Sequence, residues 1–347
     1  MTSLSSSPHL LDEQLVYSNP IDLNYLDNVL SLETGDSVAS ATTTANSQAE
    51  AFVSGKLKGK NVALGIGHQN EAVIRTRSFI NSFGYFNKMQ QNPVYLFLGS
   101  ESDDLNYAVE GFYSSYHDKI ADEKEDSAGL TLAVEFGAWQ LTASSEFINK
   151  VQTPTNEFNG TGDIGLNVKY VGDGTEAYVS FAYEPVKALT SGSESEFHIL
   201  QMLKIGLVES NVKESNDVFW GVEINTVKAD CRVHLGVGCD QALVGTSLPL
   251  WIGFEAQANS WMVLRASVKQ TVFLQQSRDD VGYPVGSVDG ANGAVSEYLN
   301  GPNSTTVSTG VGLKLRKVMV DGTLAASTSQ QLNAANLLGQ LSLKYYY

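Results

Sequence analysis

A chain of 347 residues can form one large all-β unit or two ordinary domains. Its net charge of −16 excludes the basic face that a nucleic-acid partner requires. No apolar run approaches the roughly 18 residues of a transmembrane helix, which excludes a helical membrane protein but not strands that turn an apolar residue outward at every second position.

Residues 1–60 are rich in Ser, Thr, Asn and Asp, and Leu10 to Leu32 shows no clean strand period. They read as a leader outside any barrel: a short helix, a plug inside the lumen, or a flexible tail. Met1 is followed by Thr-Ser-Leu-Ser-Ser-Ser, with neither the basic nor the apolar part of a signal peptide. For an exported protein this implies a mature form whose leader has been removed.

From about residue 61 the period becomes two. Met262, Leu264, Ala266, Val268, Val272 and Leu274 share one face, and Arg265, Ser267, Lys269 and Thr271 the other. Ile164, Leu166, Val168 and Tyr170 likewise oppose Gly165, Asn167 and Lys169. The pattern predicts strands at 61–68, 93–101, 104–116, 129–137, 138–148, 162–172, 174–186, 197–210, 217–228, 246–257, 260–275, 305–316, 318–327 and 339–347. The stretch Glu71 to Gln91 departs from it with a helix-like pattern.

Connections alternate in length along the chain. Short turns lie near Asp103, Gly137, Asp173, Val212, Asn259 and Lys317, and long loops at 69–92, 117–128, 149–161, 187–196, 229–245, 276–304 and 328–338. A transmembrane antiparallel β-barrel with short periplasmic turns and long outer loops has this rhythm. The fold class expected is therefore all-β, a barrel of about fourteen strands, within a range of twelve to sixteen, over residues 61–347. Trp139, Tyr170, Tyr183, Trp251, Trp261 and Tyr345 are expected in interfacial girdles.

The chain ends with Leu341, Leu343, Tyr345 and Tyr347 on one face and an aromatic last residue. This resembles the C-terminal strand of bacterial outer-membrane barrels, which implies that Leu343, Tyr345 and Tyr347 act as a signal to the barrel-assembly machinery. With the strand pattern, the resemblance extends to general porins. The run Val320-Asp321-Gly322-Thr323-Leu324-Ala325-Ala326-Ser327 is similar in texture to the major porins of predatory Bdellovibrio-like bacteria. The resemblance implies passive diffusion of ions and small hydrophilic solutes, a setting in outer-membrane lipid, a homotrimer, and no cofactor or metal. Two alternatives stand beside it: a closed barrel with a structural or surface-contact role, and a soluble β-sandwich binding protein. The terminal aromatic strand and the loop order disfavour the sandwich.

On a barrel, the strand parity turns Glu110, Glu135, Glu176, Glu184 and Glu223 into the lumen from the earlier strands. Arg265, Lys269, Lys314, Arg316 and Lys344 face it from the later ones. This sets a basic wall against an acidic one, an arrangement that tunes ion selectivity. Asp279, Asp280, Asp289 and Glu297 in loop 276–304 are candidates for a constriction facing the basic wall. Cys231 and Cys239 suit a disulfide made in an oxidising compartment; two unrelated thiols, or zinc with His234, are the alternatives.

Signals for catalysis are weak. Among the dispersed histidines only His117-Asp118 is tempting, so no enzyme is expected. Gly65-Ile66-Gly67 does not continue as a dinucleotide fingerprint. Asn159-Gly160-Thr161 and Asn303-Ser304-Thr305 match the glycosylation sequon, which means little in a bacterial protein.

Overall fold

The computed structural model describes residues 12–35, 48–81, 90–102, 105–154, 156–160, 162–190, 193–194, 198–213, 216–231, 241–280, 305–327 and 337–347. The strands are β1 (Val29–Gly35), β2 (Gln48–Leu57), β3 (Lys60–Ile66), β4 (Val94–Ser100), β5 (Asn106–Asp118), β6 (Glu123–Phe136) and β7 (Trp139–Gln152). β8 follows in two pieces (Asn156–Gly160 and Asp163–Val171), then β9 (Thr175–Thr190), β10 (His198–Lys213), β11 (Asn216–Cys231) and β12 (Gln241–Asn259). The last are β13 (Met262–Asp280), β14 (Thr305–Leu315), β15 (Val318–Ser327) and β16 (Leu337–Tyr346).

Both pieces of β8 pair with β7 and β9, so they are one interrupted strand. The two-residue piece Ser193–Glu194 pairs only with the end of β9. Every other neighbour pairing is antiparallel in chain order, and β16 closes on β1 from Val29↔Tyr346 to Gly35↔Gln340. The result is a closed barrel of sixteen strands, not the fourteen expected.

The two additional strands, β1 and β2, lie inside the segment expected as a leader, so the barrel begins at Val29 and not near residue 61. β1 has only seven residues, with Leu30 and Leu32 outward. β2 turns Ala49, Ala51, Val53 and Gly55 outward before Leu57, and most of these carry little hydropathy contrast. Lys58 and Gly59 connect β2 to β3 with positive φ at both positions, +50° and +78°. That is the twist a two-residue hairpin turn requires.

The alternation of faces holds throughout. Leu64, Leu96, Leu132, Leu166, Ile205 and Ile252 point outward and are exposed. Between them, Ala63, Phe97, Thr131, Lys169, Met202 and Ser247 point inward and are buried. Trp139, Tyr170, Trp261 and Tyr345 lie exposed on the outer face near the short turns, with Trp139 and Tyr170 in edge contact at 5.2 Å. Trp251 does not join them. It occupies an odd-numbered position of β12, where odd numbers face inward, and packs with Val208 and Phe219 inside the barrel.

Inward aromatic rings lie along the wall because glycines oppose them. Tyr178 pairs with Gly206, Phe219 with Gly253, and Trp251 with Gly221. A Cβ at these glycines would stand 2.2–2.4 Å from the opposing ring. Each ring thus fills the space of a missing side chain and projects little into the lumen.

Candidate functional site

The inner wall has two unlike halves. Along β2 to β6 the mid-strand inward residues are buried, among them Ser54, Ala63, Tyr95, Ala108 and Ser127. Two chain segments cover them. The first is Asp12–Asn28, which contains helix α1 (Glu13–Val16) and a 3-10 turn at Pro20–Asn24. The second is helix α2 (Glu71–Asn81) in the β3–β4 connection.

Asp12–Asn28 touches the polar face of strands from β16 round to β7, which is geometrically open to a short segment only from within the barrel. Its apolar side chains enter an aromatic cluster. Val16 and Ile21 are fully buried, and Tyr17 meets Tyr95 at 4.9 Å and Phe97 at 5.4 Å. Burying a side chain of this size contributes about 1.5–3 kcal/mol. Polar contacts then fix the register. Lys344 Nζ donates to Asp12 Oδ1 at 3.0 Å and Glu13 Oε2 at 2.7 Å. Asn19 Nδ2 donates to Gln140 Oε1 at 3.0 Å, and Asn19 Oδ1 accepts from Thr142 Oγ1 at 3.0 Å. Asn61 Nδ2 donates to Asn24 Oδ1 at 2.9 Å, and Tyr25 donates to Glu135.

Helix α2 begins at an Asn70 cap, whose Oδ1 accepts from the Ala72 and Val73 amides at 3.0 and 3.1 Å. Val73 joins the aromatic cluster. Arg75 pairs with Glu184 across the barrel, and Arg77 with Glu125 at 2.8 Å and Asn149 at 3.0 Å. Within the helix-like stretch Glu71 to Gln91, Glu71–Asn81 form a helix, and the strand placed before it at 61–68 is present as Lys60–Ile66.

The other half of the wall differs. Gly165, Asn167, Tyr178, Ser180, Ala182, Lys204 and Glu223 face inward at mid-strand on β8 to β11 and remain half-exposed. Lys269 on β13 is similarly half-exposed, within electrostatic reach of Glu223 and Lys204.

The predicted lumen residues are placed as follows. Glu110 is buried and both its oxygens lack a hydrogen-bond partner. Glu135 meets Tyr25, Asn106 and Gln140; Glu176 meets Lys169 at 3.0 Å; Glu184 meets Arg75; Glu223 accepts from the Tyr178 hydroxyl at 2.7 Å. Arg265 binds Glu255 at 2.6 Å on the neighbouring β12 and also Asp321 on β15, two strands away. Lys314 lies at the exposed end of β14, and Arg316 sits in the turn after it with φ +58°.

Arg265, Lys314, Arg316 and Lys344 converge on one cavity of about 440 Å³, between Asp12–Asn28 and the strands β12 to β16 and β1. Lys269 does not line it. Sequence reasoning missed Asp12, Glu13, Glu255 and Asp321, the acids that neutralise Lys344 and Arg265. Strand register pairs Glu255 directly with Arg265, a signal open to sequence; the contacts of Asp12 and Glu13 are not.

Asp279 and Asp280 close β13, but their side chains, with Asp289 and Glu297, lie outside the described residues, as does the Cys231–Cys239 pair. Leu343, Tyr345 and Tyr347 stand exposed on the outer face at the end of the chain.

Charge and burial are coupled in the inner segment. Burial pushes the Asp22 carboxyl up to about 7, helped by Glu176 and Glu135 and opposed by Lys169. Burial and the Asp12 charge push Glu13 up to about 8 against the pull of Lys344.

No known protein family and no curated protein matches the sequence. Solved structures do resemble the fold. CdiB from Acinetobacter baumannii aligns over 92% of this chain at 8% identity and TM-score 0.47, and this chain spans 60% of its length. A bacterial polysaccharide outer membrane secretin aligns over 92% of this chain and 98% of its own, at 9% identity and TM-score 0.48. A porin aligns over 93% of this chain and 100% of its own, at 10% identity and TM-score 0.43. At such scores these likenesses carry no functional argument, and function must be argued from the chain's own geometry.

Proposed function

We propose that this protein is an outer-membrane channel of porin type, whose passage runs off-centre along the β8–β13 wall. The observation that carries this is the contrast between the two inner walls. Segments of the chain bury one, while on the other Asn167, Tyr178, Ser180, Ala182, Lys204, Glu223 and Lys269 remain half-exposed among buried inward neighbours such as Met202, Phe219 and Ser247. Around the outside, apolar side chains stand exposed on all sixteen strands, on β2 only as Leu57 near its end, an arrangement favoured by lipid and not by water. Closure satisfies every strand edge, as a hydrocarbon setting demands.

The solutes are small and hydrophilic, since the half-exposed wall offers Asn167, Ser180, Lys204, Glu223 and Lys269. The resemblance to Bdellovibrio-type porins belongs to this proposal and rests on residues 320–327, which lie within β15. The test is stepwise conductance of the refolded protein in a planar bilayer. Folded protein that inserts without passing current would favour the closed-barrel alternative.

Self-association belongs to the same proposal. β1, β3 and β4 have seven residues each, fewer than the roughly 9–11 a tilted strand needs to cross a bilayer. A second copy against this short wall would cover what lipid fits poorly, in line with a homotrimer.

A further inference from the structure

Three charged side chains on the 440 Å³ cavity stand apart from its neutralised pairs. Lys344 contacts Asp12 and Glu13, and Arg265 contacts Glu255 and Asp321. Lys314, Arg316 and Asp27 line the same cavity, are exposed, and have no ionic partner among the described residues. Leu26, Val318 and Met319 also line the cavity and give it an apolar surface.

A smaller chamber of about 20 Å³ adjoins the cavity through Asp12, Arg265 and Lys344. Asp321 Oδ2 and Ser342 Oγ, on residues lining it, are buried without hydrogen-bond partners. The chamber has room for a water molecule. The larger cavity lies in the size range of small-ligand sites, which combine apolar walls with a few convergent polar groups. Arg316 holds its place in the left-handed backbone region, φ +58°, which costs a non-glycine residue conformational energy.

We propose that this cavity is a binding subsite for a small zwitterionic solute of amino-acid or short-peptide kind. Its carboxylate sits between Lys314 and Arg316, its ammonium faces Asp27, and its side chain lies on Leu26, Val318 and Met319. A simple anion would leave Asp27 uncompensated, and a simple cation would leave both bases so. A guanidinium and an ammonium together suit a carboxylate, which accepts from both.

The subsite names the solute class of the channel proposed above, but its binding is measurable without any current. The experiment is calorimetric titration of the full chain, folded in detergent, with glycyl-leucine, its N-acetyl derivative and its amide. Saturable binding of glycyl-leucine is expected, at least tenfold tighter than either singly charged derivative. Lys314→Gln with Arg316→Gln should weaken it tenfold or more, about 1.4 kcal/mol. Asp27→Asn should bring glycyl-leucine level with the N-acetyl derivative. Lys317→Gln, an exposed turn residue not lining the cavity, should leave binding unchanged. Heat-modifiable migration in SDS gels confirms that each variant is folded. Absence of saturable binding, equal binding of all three probes, or equal weakening by Lys317→Gln would overturn the proposal. Binding without conductance would refute the channel and leave the subsite standing.

Discussion

Arg77 is fully buried inside the barrel, and so is Glu125, which receives it. Ser114 and Ser127 donate to the same carboxylate at 3.0 Å each. Removing one partner of such a pair leaves a buried charge uncompensated, at a cost of about 3–5 kcal/mol. Arg77→Ala should therefore lower unfolding stability in detergent by that amount, whereas Lys119→Ala, exposed in the β5–β6 turn, should change it by less than about 0.5 kcal/mol. Equal effects would contradict the pairing. Asp22 and Glu13 add a dependence on pH. Their values inside the barrel, about 7 and about 8, exceed the ordinary 3.8 and 4.5, so the docked segment holds protons that a released segment gives up. Docking is strongest in mild acid and weakens as pH rises through the interval from about 4 to 8. Hydrogen exchange of the segment should speed up across that interval beyond its chemical rate. Asp22→Asn should flatten the trend, and an unchanged trend would remove Asp22 as its source.

At the scale of elements, Asp12–Asn28 acts as an internal strut, and the passage is what it leaves free. Deleting residues 1–26 should raise conductance, or open a barrel that is otherwise narrow; unchanged conductance would place the passage elsewhere. The ring-on-glycine pairs set the wall's thickness. Gly253→Val would put a side chain 2.4 Å from Phe219, with an expected cost of about 1–3 kcal/mol in thermal or denaturant unfolding.

Much of this was legible in the sequence. Fourteen strands and their inward and outward parity follow from period two. The turn-and-loop rhythm holds only in part: the long loops expected at 117–128 and 149–161 shrink to the short connections 119–122 and 153–155 because β5 to β8 run further than their apolar pattern. β1 and β2 were not legible: β1 has only seven residues, and β2 faces outward mostly with Ala, Val and Gly before Leu57. Adding one hairpin also keeps an even count and leaves both chain ends on the same side, so the count itself gave no warning. The lumen charges were legible as positions but not as partners. Arg265 and Lys344 are neutralised by acids, two of which arrive on Asp12–Asn28, and periodicity does not reveal where a non-strand segment docks.

For the whole molecule, wall height and lumen filling fall on the same side. The seven-residue strands β1, β3 and β4 bound the filled half, while β9 to β13 have 16–19 residues each. A short wall braced from within and covered by a second copy predicts a stable oligomer in detergent. Light scattering should report more than one chain per particle, and charged substitutions at outward Leu64 and Leu96 should dissociate it while leaving the folded band in SDS gels. A monomer in mild detergent would contradict this.

The most direct test of the channel is single-channel recording of the refolded protein in a planar bilayer under a salt gradient. An off-centre passage along β8–β13 predicts stable stepwise currents, with selectivity that shifts on Lys204→Glu or Lys269→Glu and is little changed by Glu110→Gln, which lies beneath the inner segment. Inserted, heat-modifiable protein that passes no current would contradict it.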